Sequence, residues 1–117
     1  MRIDPKGPEA SRLRQRKYEV VRRYQLPDGL LPGCLTQTHR RCGRPNCHCA
    51  SGEGPGHPIW FLTFMSGGKR RVERIPAEWA EEVRRQVEAG RALQDAIKDM
   101  LTANAELLVL WRKQQGV

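Results

Sequence analysis

The chain of 117 residues carries 21 Lys and Arg against 13 Asp and Glu, a formal net charge of +8, and only 38% of it is hydrophobic. This length suits one small domain, whose modest core would benefit from a metal cross-link. No stretch approaches the roughly 20 apolar residues that span a membrane. We therefore predict a cytoplasmic protein without a membrane segment.

The positive charge is unevenly distributed along the chain. Residues 1–75 hold 15 Lys and Arg against 6 Asp and Glu, a net charge of +9, whereas residues 76–117 hold 6 against 7, a net charge of −1. A surface with concentrated positive charge attracts polyanions. Such a surface binds nucleic acid because its cations neutralise phosphates and release the counterions bound to them. We predict a nucleic-acid partner, with DNA favoured over RNA; a solvated basic surface or an acidic protein partner is the alternative.

The N-terminal part predicts a flexible arm followed by a basic helix. Residues 1–8 contain two prolines and a glycine, which disfavour regular structure. Residues 9–26 place apolar side chains at near-helical spacing. Most positions between them are cationic, and we expect five of them to contact phosphates: Arg12, Arg16, Lys17, Arg22 and Arg23. An ordinary solvated helix face would show the same pattern.

Residues 30–76 predict a module of three antiparallel strands with an insertion. Residues 35–39 form a short first strand, and the aromatic and aliphatic run 59–65 forms the second. The segment 66–69, Ser-Gly-Gly-Lys, is a hairpin turn signal, and residues 70–75 return as a basic third strand. With helices on either side, the predicted fold class is α+β.

Both faces of the second strand are apolar. Ile59, Phe61, Thr63 and Met65 alternate with Trp60, Leu62 and Phe64. A sheet with one face in water would alternate apolar with polar residues instead. We therefore expect the C-terminal helix to cover one face, and the N-terminal helix or a partner chain to cover the other.

The insertion contains a cluster of metal-ligand residue types between turn formers. Cys42, Cys47, Cys49 and His57 lie within sixteen residues, and glycines and prolines bend the chain between them. Zn²⁺ takes sulfur and nitrogen ligands in a tetrahedron, and a closed site of four such ligands stabilises the fold without catalysing a reaction. The pattern predicts a structural zinc knuckle.

Several alternatives to this ligand set stay open. Cys34, His39 and His48 are near enough in sequence to replace His57 as the fourth ligand. A disulfide or a redox switch at Cys47 or Cys49 is also compatible with the spacing, although a reducing cytosol disfavours a stable disulfide. We predict no enzymatic activity, because the chain shows no Ser/His/Asp arrangement, no paired-carboxylate motif and no phosphate-binding glycine loop.

Residues 77–115 predict one long helix with a heptad-like apolar seam. The positions expected to mediate dimerisation are Leu93, Ile97, Met100, Asn104, Leu107 and Trp111. Asn104 is polar, as are residues that fix register in coiled coils, and Gly90 is a candidate for a bend. About 40 residues of helix would measure roughly 60 Å, longer than a three-stranded sheet can cover. We predict a homodimer or docking on a larger protein.

The insertion also carries a family resemblance. Residues 41–50, Arg-Cys-Gly-Arg-Pro-Asn-Cys-His-Cys-Ala, followed by Gly56-His57-Pro58 and the Gly68-Lys69 hairpin, are similar to a family of small uncharacterised bacterial, archaeal and phage proteins. The resemblance covers about residues 30–80 and implies an association with mobile genetic elements. In that family serine is usual at the position of Cys34, which implies that this cysteine is not a ligand.

The order of elements further resembles the three-stranded arm-binding domains of phage-type integrases, whose sheet lies in the DNA major groove. This resemblance implies that the hairpin of the second and third strands supplies further nucleic-acid contacts, and we expect the knuckle region to add to them. The residues are Arg40, Arg41, Arg44, Lys69, Arg70, Arg71 and Arg74. We therefore predict a zinc-stabilised DNA-binding accessory protein of a mobile element or phage system. The alternative is a zinc-stapled adaptor that docks through its long helix on a larger complex.

Overall fold

The computed structural model describes residues 5–47, 52, 54 and 56–117. Helix α1 spans Pro8–Tyr24, and strands β1, β2 and β3 span Cys34–Arg40, His57–Ser66 and Lys69–Ile75. A short 3-10 helix, Ala77–Trp79, leads into helix α2, Ala80–Gln114. The structure confirms the predicted α+β class, with an N-terminal helix, a three-stranded antiparallel sheet and a long C-terminal helix.

Local sequence explains where α1 begins and ends. Pro8 occupies the first turn, where its missing N–H removes no helical hydrogen bond, and Glu9 lies near the positive end of the helix dipole. Gln25 ends the helix in the left-handed conformation and donates its backbone N–H to the Val21 carbonyl oxygen. Ala10 is the buried residue of this helix.

The sheet has β2 at its centre, with both neighbours antiparallel to it. Gly67 and Gly68 form the β2–β3 turn with φ values of 59° and 77°. Two consecutive residues with positive φ make the tight hairpin turn whose twist matches that of the strands, and glycine adopts this conformation without strain. The predicted hairpin is therefore fixed by its turn as well as by its apolar strand.

One face of the sheet, here called the covered face, packs against the first turns of α2. Leu62 is buried there with Val83 and Val87 of the helix, and Leu31, Leu35, Phe64 and Ile75 complete the cluster. The short 3-10 helix turns the chain from β3 onto this face, so that the regular part of the long helix starts three residues later than its sequence pattern suggests.

The other face, here called the open face, remains exposed or half-exposed in the part of the chain that the structure describes. Antiparallel register places directly paired residues on the same face. The open face consists of Cys34, Thr36, Thr38 and Arg40 on β1, His57, Ile59, Phe61, Thr63 and Met65 on β2, and Arg70, Val72 and Arg74 on β3. The N-terminal helix instead lines a groove with Leu31 and Gln86, residues of the α2 side.

Gly90 is a point of close approach between α2 and the segment that leads into β1. The Leu31 backbone N–H donates a 3.1 Å hydrogen bond to the Gln86 carbonyl oxygen, and a Cβ at position 90 would collide with the Leu31 carbonyl oxygen. Arg91 extends the contact by donating to the Gly33 carbonyl oxygen at 3.1 Å. Gly90 therefore makes room for a crossing backbone, inside a helix that runs uninterrupted from Ala80 to Gln114.

Of the helices that the structure describes, none combines the length and apolar character needed to cross a membrane.

Candidate metal centre and basic sheet face

The end of the sheet brings the predicted metal ligands together. Arg40 at the end of β1 pairs with His57 at the start of β2, so Cys42, two residues beyond the strand, lies near the histidine. A turn over residues 44–47, closed by a 3.2 Å hydrogen bond from the Cys47 N–H to the Arg44 carbonyl oxygen, then returns Cys47 to the same place. Strand register and one tight turn thus assemble three side chains from separate parts of the sequence.

The three side chains lie at distances that a metal ion could bridge. The ligand atoms of Cys42, Cys47 and His57 all lie within 4.8 Å of one another, and the Cys47 Sγ and His57 Nε2 atoms are 2.9 Å apart. Cys47 and His57 are half-buried, whereas Cys42 is exposed. Two thiols and one imidazole are donors typical of structural zinc sites. The donor set therefore fits Zn²⁺, and no disulfide joins the described cysteines.

The structure separates the alternative ligands from this cluster. Cys34 lies at the opposite end of β1, opposite Thr63, about 20 Å along the strand from Arg40. His39 pairs with Pro58, so it belongs to the covered face and not to the face that carries His57. Neither belongs to the cluster of Cys42, Cys47 and His57. The predicted ligand Cys49 and the alternative His48 lie outside the described residues.

Arginines surround the cluster and extend from it onto the sheet. A cleft of about 950 Å³ is lined by Cys42, Cys47 and His57 together with four arginines: Arg40, Arg41, Arg44 and Arg74. Arg41 donates hydrogen bonds to the carbonyl oxygens of Gly52 at 2.7 Å and Gly54 at 3.4 Å. Arg41 thus contacts the loop that leads to β2, whereas Arg40 and Arg74 belong to the open face.

The open face carries three arginines and no carboxylate. Arg40, Arg70 and Arg74 are exposed and form no ion pair with any described residue, and the one acidic residue of β3, Glu73, lies on the covered face. Unpaired guanidinium groups on one surface attract phosphates, which they can bind in a bidentate manner. The open face is therefore the strongest candidate anion surface of the sheet.

Arg71 and Lys69, predicted to act with these arginines, are placed differently. Arg71 pairs with Phe64 in the strand register and lies over its ring, 5.3 Å from the centroid. It also makes an ion pair with Glu73 at 2.6 Å. Lys69 pairs with Ser66 and belongs to the covered side too. Neither residue adds to the charge of the open face.

The cations of α1 are separate from the sheet face. Lys17 lies 4.0 Å from the Asp28 carboxylate and 4.7 Å from the Tyr18 ring, and Arg22 donates its Nε–H to the Tyr18 carbonyl oxygen. Arg12, Arg16 and Arg23 are exposed. The predicted nucleic-acid residues thus divide between the sheet and the N-terminal helix.

Two structural roles were not visible in the sequence. Asp28, in the loop after α1, accepts a 3.3 Å hydrogen bond from the Tyr18 hydroxyl in addition to its contact with Lys17. Gly90 receives the Leu31 backbone. No motif marks either pairing, although a glycine inside a long helical pattern is the signal that could have indicated a close approach.

Five of the six predicted dimerisation residues lie on the exposed part of α2, residues 94–114. Leu93 is half-buried, whereas Ile97, Met100, Asn104, Leu107 and Trp111 are exposed, Leu107 by 62% and Trp111 by 61%. Residues 94–114 have no buried member. This surface is apolar but has no partner within the described part of the chain.

Comparison with known proteins gives one match. A family model described as Domain of unknown function (DUF6788) matches residues 10–85, which include the whole sheet and the metal cluster. The chain belongs to this family. No curated protein and no solved structure matches it. The similarity to integrase arm-binding domains therefore stays a prediction, as does the association with mobile elements.

Proposed function

We propose that this protein is a zinc-stabilised nucleic-acid-binding accessory protein, with DNA as the favoured ligand. The observation that carries the proposal is the open face, where Arg40, Arg70 and Arg74 are exposed without an acidic neighbour on the same face. A surface of one charge sign attracts polyanions, and each phosphate contact releases counterions. The family resemblance adds a mobile element or phage system as the proposed setting.

The metal has a structural role in this proposal. Cys42, Cys47 and His57 would hold Zn²⁺ with a fourth ligand, for which Cys49 is the candidate. A bound ion would tie the residues after β1 to the start of β2 and so fix the position of Arg40 beside Arg74. A closed site leaves no coordination position for a reactive water, so we propose no catalytic role.

The test compares two pairs of cations that carry the same charge. Arg70→Ala with Arg74→Ala should weaken binding to a 20-base-pair duplex and lower the slope of log affinity against log salt by about 1.8, because each lost phosphate contact removes about 0.9. Lys98→Ala with Lys113→Ala, on α2, removes the same net charge away from the sheet and should change both quantities little. Fluorescence anisotropy at several salt concentrations measures them.

Two further outcomes would count against the proposal. Equal losses in both double variants would show that overall charge alone governs binding. A wild-type protein that binds no nucleic acid at moderate salt would reject the function itself. Arg71→Ala provides an additional control, since this residue pairs with Glu73 on the other face and should contribute little.

A second candidate function rests on the exposed apolar surface of α2. Residues 94–114 present large apolar side chains that no other described residue covers, and such patches mark interaction sites. Under this alternative, the protein is an adaptor that docks through α2 on a larger complex, or a homodimer. Substitution of two of these apolar residues by aspartate, Ile97→Asp with Leu107→Asp, tests self-association.

A further inference from the structure

The middle of the open face is apolar and aromatic, in contrast to its basic edges. Phe61 lies at the centre of β2, opposite Thr36 on β1 and Arg74 on β3, with Ile59 and Thr63 as its neighbours along the same face. Phe61 and Ile59 are half-exposed, and Val72 beside them on β3 is 52% exposed. The face therefore combines an apolar floor with arginines at its edges.

This composition is poorly suited to reading a duplex. Sequence-specific contacts in the major groove are hydrogen bonds from Arg, Lys, Asn or Gln to base edges. The central side chains of the open face are Ile59, Phe61 and Thr63, none of which offers a bidentate donor set. Paired bases inside a duplex also expose no ring face to an aromatic side chain.

An unpaired base, in contrast, has a ring face that fits Phe61. Proteins that bind single strands stack bases on aromatic side chains and hold the backbone with cations. The Arg40 guanidinium lies over the Phe61 ring, 5.9 Å from its centroid, so a base that stacks here takes the place that this planar group holds in the free protein. Arginine can then bind the adjoining phosphate or stack on the base itself.

The basic cleft continues this surface toward the metal cluster. Arg40 and Arg74 belong both to the open face and to the lining of the cleft, where Arg41 and Arg44 add two more cations. A strand whose base lies on Phe61 would thus find phosphate ligands on both sides of the ring. The path ends at the Cys42, Cys47 and His57 cluster, which also lines the cleft.

We propose that the open face binds single-stranded nucleic acid, stacking a base on Phe61 and holding neighbouring phosphates with Arg40 and Arg74. This inference rests on the proposed nucleic-acid function and names its ligand class. It assigns Phe61 a binding role that neither its apolar character nor its position in the strand pattern indicates.

The test uses a fluorescently labelled 12-nucleotide oligothymidylate and a 12-base-pair duplex at matched salt. The wild-type protein should bind the single strand more tightly. Phe61→Leu, which keeps an apolar side chain but removes the ring, should weaken single-strand binding roughly ten-fold, within the range measured for one base–aromatic stack. The salt dependence should not change, because no phosphate contact is lost.

Three controls separate stacking from charge and from folding. Phe61→Trp keeps an aromatic ring and should bind at least as tightly as the wild type. Trp60→Phe, on the covered face, should leave binding unchanged. Arg74→Ala should lower both the affinity and the salt slope, the latter by about 0.7 for a single strand.

The outcomes distinguish this inference from the function on which it rests. Phe61→Leu binding the oligomer as tightly as the wild type, or a preference for the duplex, overturns the single-strand inference while leaving nucleic-acid binding intact. No binding to either ligand overturns both. Should Phe61→Leu unfold, the decision falls to Phe61→Trp: an affinity at least equal to wild type supports stacking, and a loss of affinity in this folded variant overturns it.

Discussion

The two halves of α2 have opposite environments within one continuous helix. Residues 80–93 include four buried residues: Ala80, Val83 and Val87, the last two packed on Leu62 of the sheet, and Gly90, which meets the Leu31 backbone. Residues 94–114 contain mostly larger apolar side chains, and all of them are exposed. The apolar pattern continues across the boundary, so hydrophobicity alone does not tell which residues form the core of this chain.

The family match covers only the beginning of α2. It ends at residue 85, within the half that packs on the sheet. Packing against Leu62 makes the first half of α2 part of the folding unit that contains the sheet, whereas residues 94–114 form an exposed apolar surface. The comparison predicts that substitutions in the first half change the free energy of unfolding, and that those in the second half change association.

The largest effect is expected at the packed half. Val87→Asp would place a carboxylate in a site where only 5% of the valine is exposed, and burial of an unpaired charge costs more than the total stability of many small domains. We expect a loss of more than about 5 kcal/mol and no cooperative unfolding transition. Circular dichroism during thermal denaturation measures this. A normal transition would show that the α2–sheet contact is not the core.

The second prediction concerns the metal cluster, at the end of the same folding unit. Cys47→Ser should remove bound zinc, which we expect at about one ion per wild-type chain. An ion that binds only the folded state stabilises it by about 4 kcal/mol when its free concentration is a thousand times its Kd. Loss of the ion should therefore lower the free energy of unfolding by an amount of that order. Elemental analysis and denaturation with and without a chelator test it.

A matched substitution, Cys34→Ser, should retain the metal, because Cys34 lies at the far end of β1. A wild-type protein without metal, or zinc retained by Cys47→Ser, would contradict the site as proposed.

The smallest effect on unfolding is expected at the exposed half. Ile97→Asp with Leu107→Asp alters side chains that are 41% and 62% exposed, so the free energy of unfolding of the isolated chain should change by less than about 1 kcal/mol. Association should change strongly, because an unpaired charge in an apolar interface is costly. Light scattering should report a dimer for the wild type and a monomer for this variant.

Lys98→Ala with Lys113→Ala, on the same half of α2, serves as the control and should leave the oligomeric state unchanged. A monomeric wild type would exclude self-association and favour the adaptor.

The sequence was sufficient for the elements of the fold because each has a strong local signal. The Gly67-Gly68 turn specifies the hairpin, and the aromatic run of β2 identifies the central strand. The alternation of side chains along β3 places Arg71 on the face opposite to that of Arg70 and Arg74. The sequence could not reveal that Arg71 makes an ion pair with Glu73 and lies over the Phe64 ring, because these contacts depend on side-chain packing.

Tertiary arrangement was predictable only in part. Because both faces of β2 are apolar, the sequence pattern did not indicate that α2 packs on the face that carries Leu62. The same pattern led us to expect the N-terminal helix or a partner chain on the opposite face. That helix lies instead along the groove with Leu31 and Gln86. Spacing likewise suggested several ligands for the metal cluster. Strand register places Cys34 at the far end of β1 and His39 on the other face from His57, which the spacing could not show.

The continuity of α2 has a consequence for how the protein would act in an assembly. An uninterrupted helix of 35 residues, about 52 Å long, does not let its two ends turn independently. Whatever holds residues 94–114 therefore also sets the direction in which the open face points. If two chains pair there, a ligand bound by one face is presented to the second at high effective concentration, and weak sites act together through avidity. Two sheets that each bind with modest affinity would then retain a long strand without any additional type of contact.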